Sequence, residues 1–370
     1  MTTDQRTSVA PRVHAEPVTS RRGLIYAYLA AVWSLLYGGL SSGWAIGIPG
    51  WVAQPFERVG SDMPSALASA LPPYVPAAIA LIGAGAAIAM ANGWGRSAVR
   101  SALLATAWVI TAGLVLAFTT EQVLILVGYL PIYLLGAPFG WAPDSFLDHV
   151  TWPVVHEVVS LLGAGLWAMT AVWYRRRSAD GVGDHDATTD VTRRDRAAVA
   201  VAIAVPALYA LTRYAWLLGL PLGVTDEFLR AGQQSGAWTA GAGLATFAAV
   251  GAVLTLGLVQ RWGEVLPDRL PFVGGRAVPP ALATVPATAV SVLLTAAGLT
   301  MFRHAIAEAV TFDAGIWAAS APVMLLPVWG VALGVATLGY RRRRHIRATM
   351  QAPSSADQPR HDQEDADHER

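Results

Sequence analysis

Apolar residues run along this chain in stretches longer and more continuous than the half-buried elements of a water-soluble domain. Such runs occupy residues 24–47, 74–92, 99–118, 151–174, 197–220, 238–260, 281–302 and 317–340. A hydrocarbon core of about 30 Å takes about 20 helical residues at 1.5 Å each, so each run predicts one transmembrane helix. A ninth apolar stretch, Val123–Leu135, carries Pro131 and stops at Gly136-Ala137-Pro138. Hydrophobicity alone leaves open whether it crosses.

The pattern also repeats. Leu36-Tyr37, Trp44, Gly47 and Pro49 recur in identical spacing, 172 residues on, as Leu208-Tyr209, Trp216, Gly219 and Pro221. Trp94-Gly95 recurs 168 residues on as Trp262-Gly263, and Tyr174-Arg175-Arg176-Arg177 recurs 166 residues on as Tyr340-Arg341-Arg342-Arg343. Three markers in one order predict tandem duplication of one unit. An even number of spans per unit keeps both copies in the same orientation. The expected fold is therefore an all-α integral membrane protein with eight transmembrane helices in two parallel four-helix repeats, plus one re-entrant or interfacial helix. The repeats are placed at 23–177 and 197–344, joined by a cytoplasmic linker at 178–196. Residues 1–22 and 345–370, polar and rich in Pro or alternating charge, are expected to be solvated tails.

Composition and charge sharpen this picture. Hydrophobic residues make up 54% of the chain and charged ones 14%, with mean hydropathy +0.44, whereas soluble domains carry about 25% charged residues. Apart from histidine, every basic side chain is Arg. With the N-terminus in the cytoplasm and eight crossings, 22 of the 26 Arg fall on the cytoplasmic side; Arg58, Arg230 and Arg303 lie outside and Arg213 within a span. The positive-inside rule is then satisfied for a multi-pass protein of the cell membrane with both termini cytoplasmic. A ninth crossing would put Arg175–Arg177 or Arg341–Arg344 outside. Val123–Leu135 is accordingly read as re-entrant or interfacial, a form tolerated only where protein covers it or water lines it.

The string Leu36-Tyr37-Gly38-Gly39-Leu40-Ser41-Ser42-Gly43-Trp44-Ala45-Ile46-Gly47 resembles the first-helix signature of a four-helix membrane domain of unknown function that is widespread in actinobacteria. The chain from about residue 24 to 340 also resembles uncharacterised actinobacterial multi-pass membrane proteins, through Leu135-Gly136-Ala137-Pro138-Phe139-Gly140-Trp141, Leu208–Trp216 and Leu258-Val259-Gln260-Arg261-Trp262-Gly263-Glu264. The resemblance implies the fold and the repeat and brings no activity with it.

Candidate chemistry is sparse. Without cysteine there is no thiolate chemistry, and phosphate-loop, dinucleotide and nucleophile-elbow patterns are missing, so no cofactor is expected. The acidic run from Asp180 to Asp190 lacks the order of a calcium loop and reads as linker. In the fifth run Pro206, Tyr209, Arg213 and Trp216 share one helical stripe, matched in the first run by Ser34, Tyr37, Ser41 and Trp44. The two Trp sit near helix ends, where rings usually anchor in the interface. Arg213 lies seven residues from the outer end of its run, about 10 Å deep, and Glu157 is the one acid placed comparably. We expect Arg213 to turn inward toward Glu157, with Tyr209 and His156 in the same polar cluster. His149, His156, His304, Glu308, Asp144 and Asp148 also gather on the outer side, but nothing in their spacing predicts convergence on a metal. The leading functional expectation is a small-molecule carrier or ligand-binding membrane protein with a site at the repeat interface. A membrane-embedded enzyme acting on a lipid-linked or periplasmic substrate, or a scaffold for a protein partner, remain alternatives. The bilayer and a small ligand are the expected partners, nucleic acid is not, and a homo-oligomer is left open.

Overall fold

A computed structural model describes residues 19–49, 51, 72, 74–94, 98–136, 145–177, 191–269, 274–307 and 314–351. Among these residues there is no strand, only an isolated bridge between Val265 and Ala277. Eight helical segments are long and apolar enough to cross a membrane: Gly23–Ile46, Tyr74–Ala91, Ala98–Phe118, Trp152–Arg177, Arg193–Leu217, Ala237–Leu256, Pro280–Phe302 and Trp317–Ala348. Each falls within a few residues of an expected span, and the protein is an all-α polytopic membrane protein.

The chain divides into two units, residues 1–119 with 150–182, and residues 120–149 with 183–370. The first contains α1 (Thr19–Ile46), α2 (Tyr74–Ala91), α3 (Ala98–Phe118) and α5 (Trp152–Arg177). There α1 packs on α2 and α5, and α3 packs on α5. The second contains α4 (Gln122–Pro131), α6 (Arg193–Leu217), α7 (Asp226–Gln234), α8 (Ala237–Leu256), α9 (Pro280–Ala307), α10 (Trp317–Met324) and α11 (Leu326–Gln351). Its neighbour relations follow the same order, α6 on α8 and α11, and α9 on α11.

The ninth apolar stretch forms α4 and a π-helical turn at Ile132–Gly136. Ten α-helical residues reach about 15 Å, half the hydrocarbon core. This helix lies within the range expected for the first repeat, yet it packs on α8 and α9 of the second unit. Gly128 permits the approach, since a Cβ there would come within 2.8 Å of Leu244 Cδ1. Leu124 joins the second unit's apolar core.

Helix ends obey local chemistry. α6 starts at Arg193, inside the expected linker, because Thr192 Oγ1 accepts from the Asp195 N–H at 3.1 Å while the Asp195 carboxylate accepts from the Thr192 N–H at 3.1 Å. This reciprocal capping box satisfies two otherwise orphaned donors. The last span breaks between α10 and α11: Pro327 has no N–H to give the Val323 carbonyl, which the Leu325 N–H meets instead. α11 then continues to Gln351, beyond the expected end at 344, with Arg347 ion-paired to Glu264. Gly47 and Gly219 close α1 and α6 with φ of 65° and 81°. In both turns the next residue's N–H reaches back five positions, Ile48 to the Gly43 carbonyl and Leu220 to that of Ala215, as in a glycine-closed helix end.

At the other end of each unit the repeated markers meet. The Tyr174 hydroxyl donates to the Trp94 carbonyl at 2.8 Å, and the Tyr340 hydroxyl to the Gly263 carbonyl at 2.8 Å. Arg343 is buried, ion-paired to Asp195, and donates through Nη2 to the Leu258 carbonyl at 2.6 Å. Breaking a buried pair strands the surviving charge. Arg343→Leu is therefore expected to destabilise the protein by about 3–5 kcal/mol, and the double change Asp195→Leu/Arg343→Leu to recover most of it. Thermal unfolding of the purified single and double variants measures both.

Candidate functional site

Two helices of the first unit bring the polar stripe to life. Trp33 Nε1 donates to the Val159 carbonyl at 3.0 Å, and a Cβ on Gly163 would lie 2.3 Å from Trp33 Cζ2. The small residue thus seats the indole of α1 flat against α5. Trp167 Nε1 of α5 donates to Ser34 Oγ of α1 at 3.2 Å. These contacts set the register that places Tyr37 opposite His156, with the phenol oxygen 2.9 Å from His156 Nε2. Which atom donates follows the imidazole tautomer.

Aromatic rings surround that contact. Trp33 stacks on Tyr37 with centroids 4.9 Å apart and planes 7° from parallel. The His156 ring has Trp44, Phe118 and Trp152 at 6.0, 5.5 and 6.4 Å. Glu157, next along α5, is also buried.

One helical turn from Tyr37 on α1 is Ser41, and one turn from His156 on α5 is Ser160. Both are 0% exposed, and neither hydroxyl has a hydrogen-bond partner among the described residues. Ser41 also lies close enough to the Tyr37 phenol to interact with it, so Ser160 is the less engaged of the two. Because α1 and α5 run antiparallel, the two hydroxyls flank the Tyr37–His156 contact along the bundle. Several helical Ser and Thr elsewhere in this protein bond the carbonyl four residues back, namely Ser42, Thr111, Thr170, Thr246, Thr255, Thr288, Thr295 and Thr337. Ser41 and Ser160 forgo that option. A buried hydroxyl with nothing to bond costs about 1–3 kcal/mol, a cost that no contact among the described residues offsets at these two positions.

The second unit builds the corresponding stripe differently. The Arg213 guanidinium lies over the rings of Tyr209 and Trp216, with Cζ 4.5 and 4.4 Å from their centroids. Its Nη1 donates to Thr212 Oγ1 at 3.4 Å. Tyr129 of α4 is near Tyr209, and burial, followed by that phenol, raises its pKa. No protein-family model, curated protein or solved structure matches this chain. Geometry alone carries the functional reading.

Of the expected polar cluster, Glu157 and His156 belong to the first unit and Arg213 and Tyr209 to the second. Within its unit His156 meets Tyr37. Trp44 and Trp216, expected as interface anchors, are 7% and 1% exposed; Trp216 donates to the Leu222 carbonyl at 3.0 Å and packs on Phe228 and Trp238. The indole N–H of Trp216 finds its acceptor in the glycine turn, so the ring need not reach the headgroups. His149 is exposed beside Tyr133 and the Ser145 carbonyl. Asp144, Glu308, the acidic run 178–190 and the His304 side chain lie outside the described residues, and among those described no three acids or histidines cluster as metal ligands. Ser160, Phe118 and Trp33 were not singled out in the sequence; the four-residue step from His156 to Ser160 was the available signal.

His156→Ala leaves the Tyr37 phenol without its partner and is expected to cost about 1–3 kcal/mol. Ser41→Ala and Ser160→Ala remove hydroxyls without a hydrogen-bond partner among the described residues and are expected to leave stability unchanged or raised. Thermal unfolding of the three variants in detergent distinguishes the two classes.

Proposed function

We propose that this protein binds a small polar molecule within its first four-helix unit, as a carrier or ligand-binding membrane protein. The observation that carries the reading is the pair of fully buried, unspent hydroxyls of Ser41 and Ser160 on either side of the Tyr37–His156 contact. Hydroxyls donate and accept, so they suit a ligand that offers both kinds of group. The rings of Trp33, Trp44, Phe118 and Trp152 supply flat apolar walls, the usual company of a few convergent polar groups in a ligand site. If Arg decides orientation as the positive-inside rule holds, both termini are cytoplasmic and this site lies in the outer half of the bundle.

The experiment is a thermal-shift screen of polar metabolites against purified protein, repeated on the Ser41→Ala/Ser160→Ala double variant. A ligand at ten times its Kd should stabilise the wild type by about 1.4 kcal/mol, and the double variant should lose that shift while unfolding at the same temperature as the wild type or higher. Ligands that shift both proteins equally would place the site elsewhere.

A further inference from the structure

The first unit's polar cluster leaves Arg213 unexplained. Its equivalent by the 172-residue offset is Ser41, so the two units present different chemistry at one position. α6 ends at Leu217, which sets Arg213 one helical turn, about 6 Å, from the helix end, shallower than the run of apolar residues implied. It is half-buried.

Three features define its surroundings. The guanidinium is held over two rings, Tyr209 four residues before it and Trp216 three residues after. Stacking uses the faces of the cation and leaves its N–H edge free, the edge that takes oxyanions in a fork. Of five donors, one is engaged, by Thr212 Oγ1 at the long distance of 3.4 Å, and that oxygen already donates to the Tyr209 carbonyl. Among the described residues of its unit no carboxylate pairs with it; the ion pairs there are Arg343–Asp195 and Arg347–Glu264. Finally, Gly241 of α8 lies against the side chain, since a Cβ there would sit 3.4 Å from Arg213 Cδ. The stem is thus packed and the rings fix the plane, which lowers the entropy lost when a ligand is gripped.

We propose that Arg213 is an oxyanion receptor, binding a phosphate or carboxylate group in the second unit near the helix end. A planar guanidinium whose plane is fixed by two rings and whose N–H edge is unspent selects an oxyanion over a halide. The group could belong to a soluble anion or to a lipid headgroup; the recognition chemistry is the same. This site is separate from the hydroxyl pair of the first unit and stands or falls without it.

The test uses the wild-type chain in dodecyl maltoside, which carries no oxyanion. Phenylglyoxal modification of Arg213 is read by peptide mass spectrometry with no addition, with inorganic phosphate, with succinate, and with short-chain phosphatidic acid. An anion at ten times its Kd should slow modification about tenfold, with Arg230 as the unprotected control. Protection by phosphate or succinate assigns a soluble anion, and protection by phosphatidic acid alone assigns a headgroup. Arg213→Gln should lose any thermal stabilisation that the anion confers, Arg213→Lys should keep only part of it, and Gly241→Leu, which displaces the stem, should weaken it while retaining the cation. No protection by any of the three would overturn the proposal. So would an Arg213 inert without added anion that becomes reactive in Glu157→Gln, because the chain would then supply the counter-charge itself.

Discussion

A polar group carried into hydrocarbon has no water to turn to, so every hydroxyl, indole and charge on these helices must be met by the protein or by something the protein binds. Most are met in the cheapest way, a Ser or Thr returning its proton to the carbonyl one turn back on its own helix. Others are met across helices, Trp33 by the Val159 carbonyl, Trp167 by Ser34, Tyr174 by the Trp94 carbonyl and Tyr340 by that of Gly263. These side-chain bonds are few, and they fix the register of each unit. Among the described residues a few buried atoms are not met, Ser41 Oγ and Ser160 Oγ among them.

In the first unit two of these exceptions, Ser41 and Ser160, lie on either side of the Tyr37–His156 contact, where close approach at Gly163 seats Trp33. The second unit spends the same stripe on a cation between rings. At the opposite end the units also differ at matching numbers. Gly23 faces Trp173 in the first, whereas Asp195 faces Gly339 in the second, so the large and small partners exchange helices. The exchange makes room for Arg343 to enter and pair with Asp195.

The spans were legible in the sequence because bilayer thickness imposes a length and a composition that few other elements share. The stripe of Ser34, Tyr37, Ser41 and Trp44 was legible too, since helical spacing alone decides which residues share a face. What that face meets was not: His156 comes from 119 residues away, beyond α2, α3 and α4, and no periodicity encodes which helix packs against α1. The buried state of Arg343 was hidden for a related reason. Four consecutive arginines read as a block of interfacial charge, and only the packing of α11 on α6 turns one of them inward. The capping pattern Thr192 to Asp195 stands in the sequence but was read as linker, and that the same carboxylate serves a second partner is set by packing alone.

The central claim is that Ser41 and Ser160 keep their hydroxyls unspent for a ligand. An experimental density map of the lipid-reconstituted protein, at a resolution that shows ordered small molecules, tests it most directly. The account predicts non-protein density at hydrogen-bonding distance, about 2.7–2.8 Å, from one or both hydroxyl oxygens beside the Tyr37–His156 contact. Hydroxyls turned back onto the carbonyls of Tyr37 and His156, with the space between the helices closed by side chains, would contradict it.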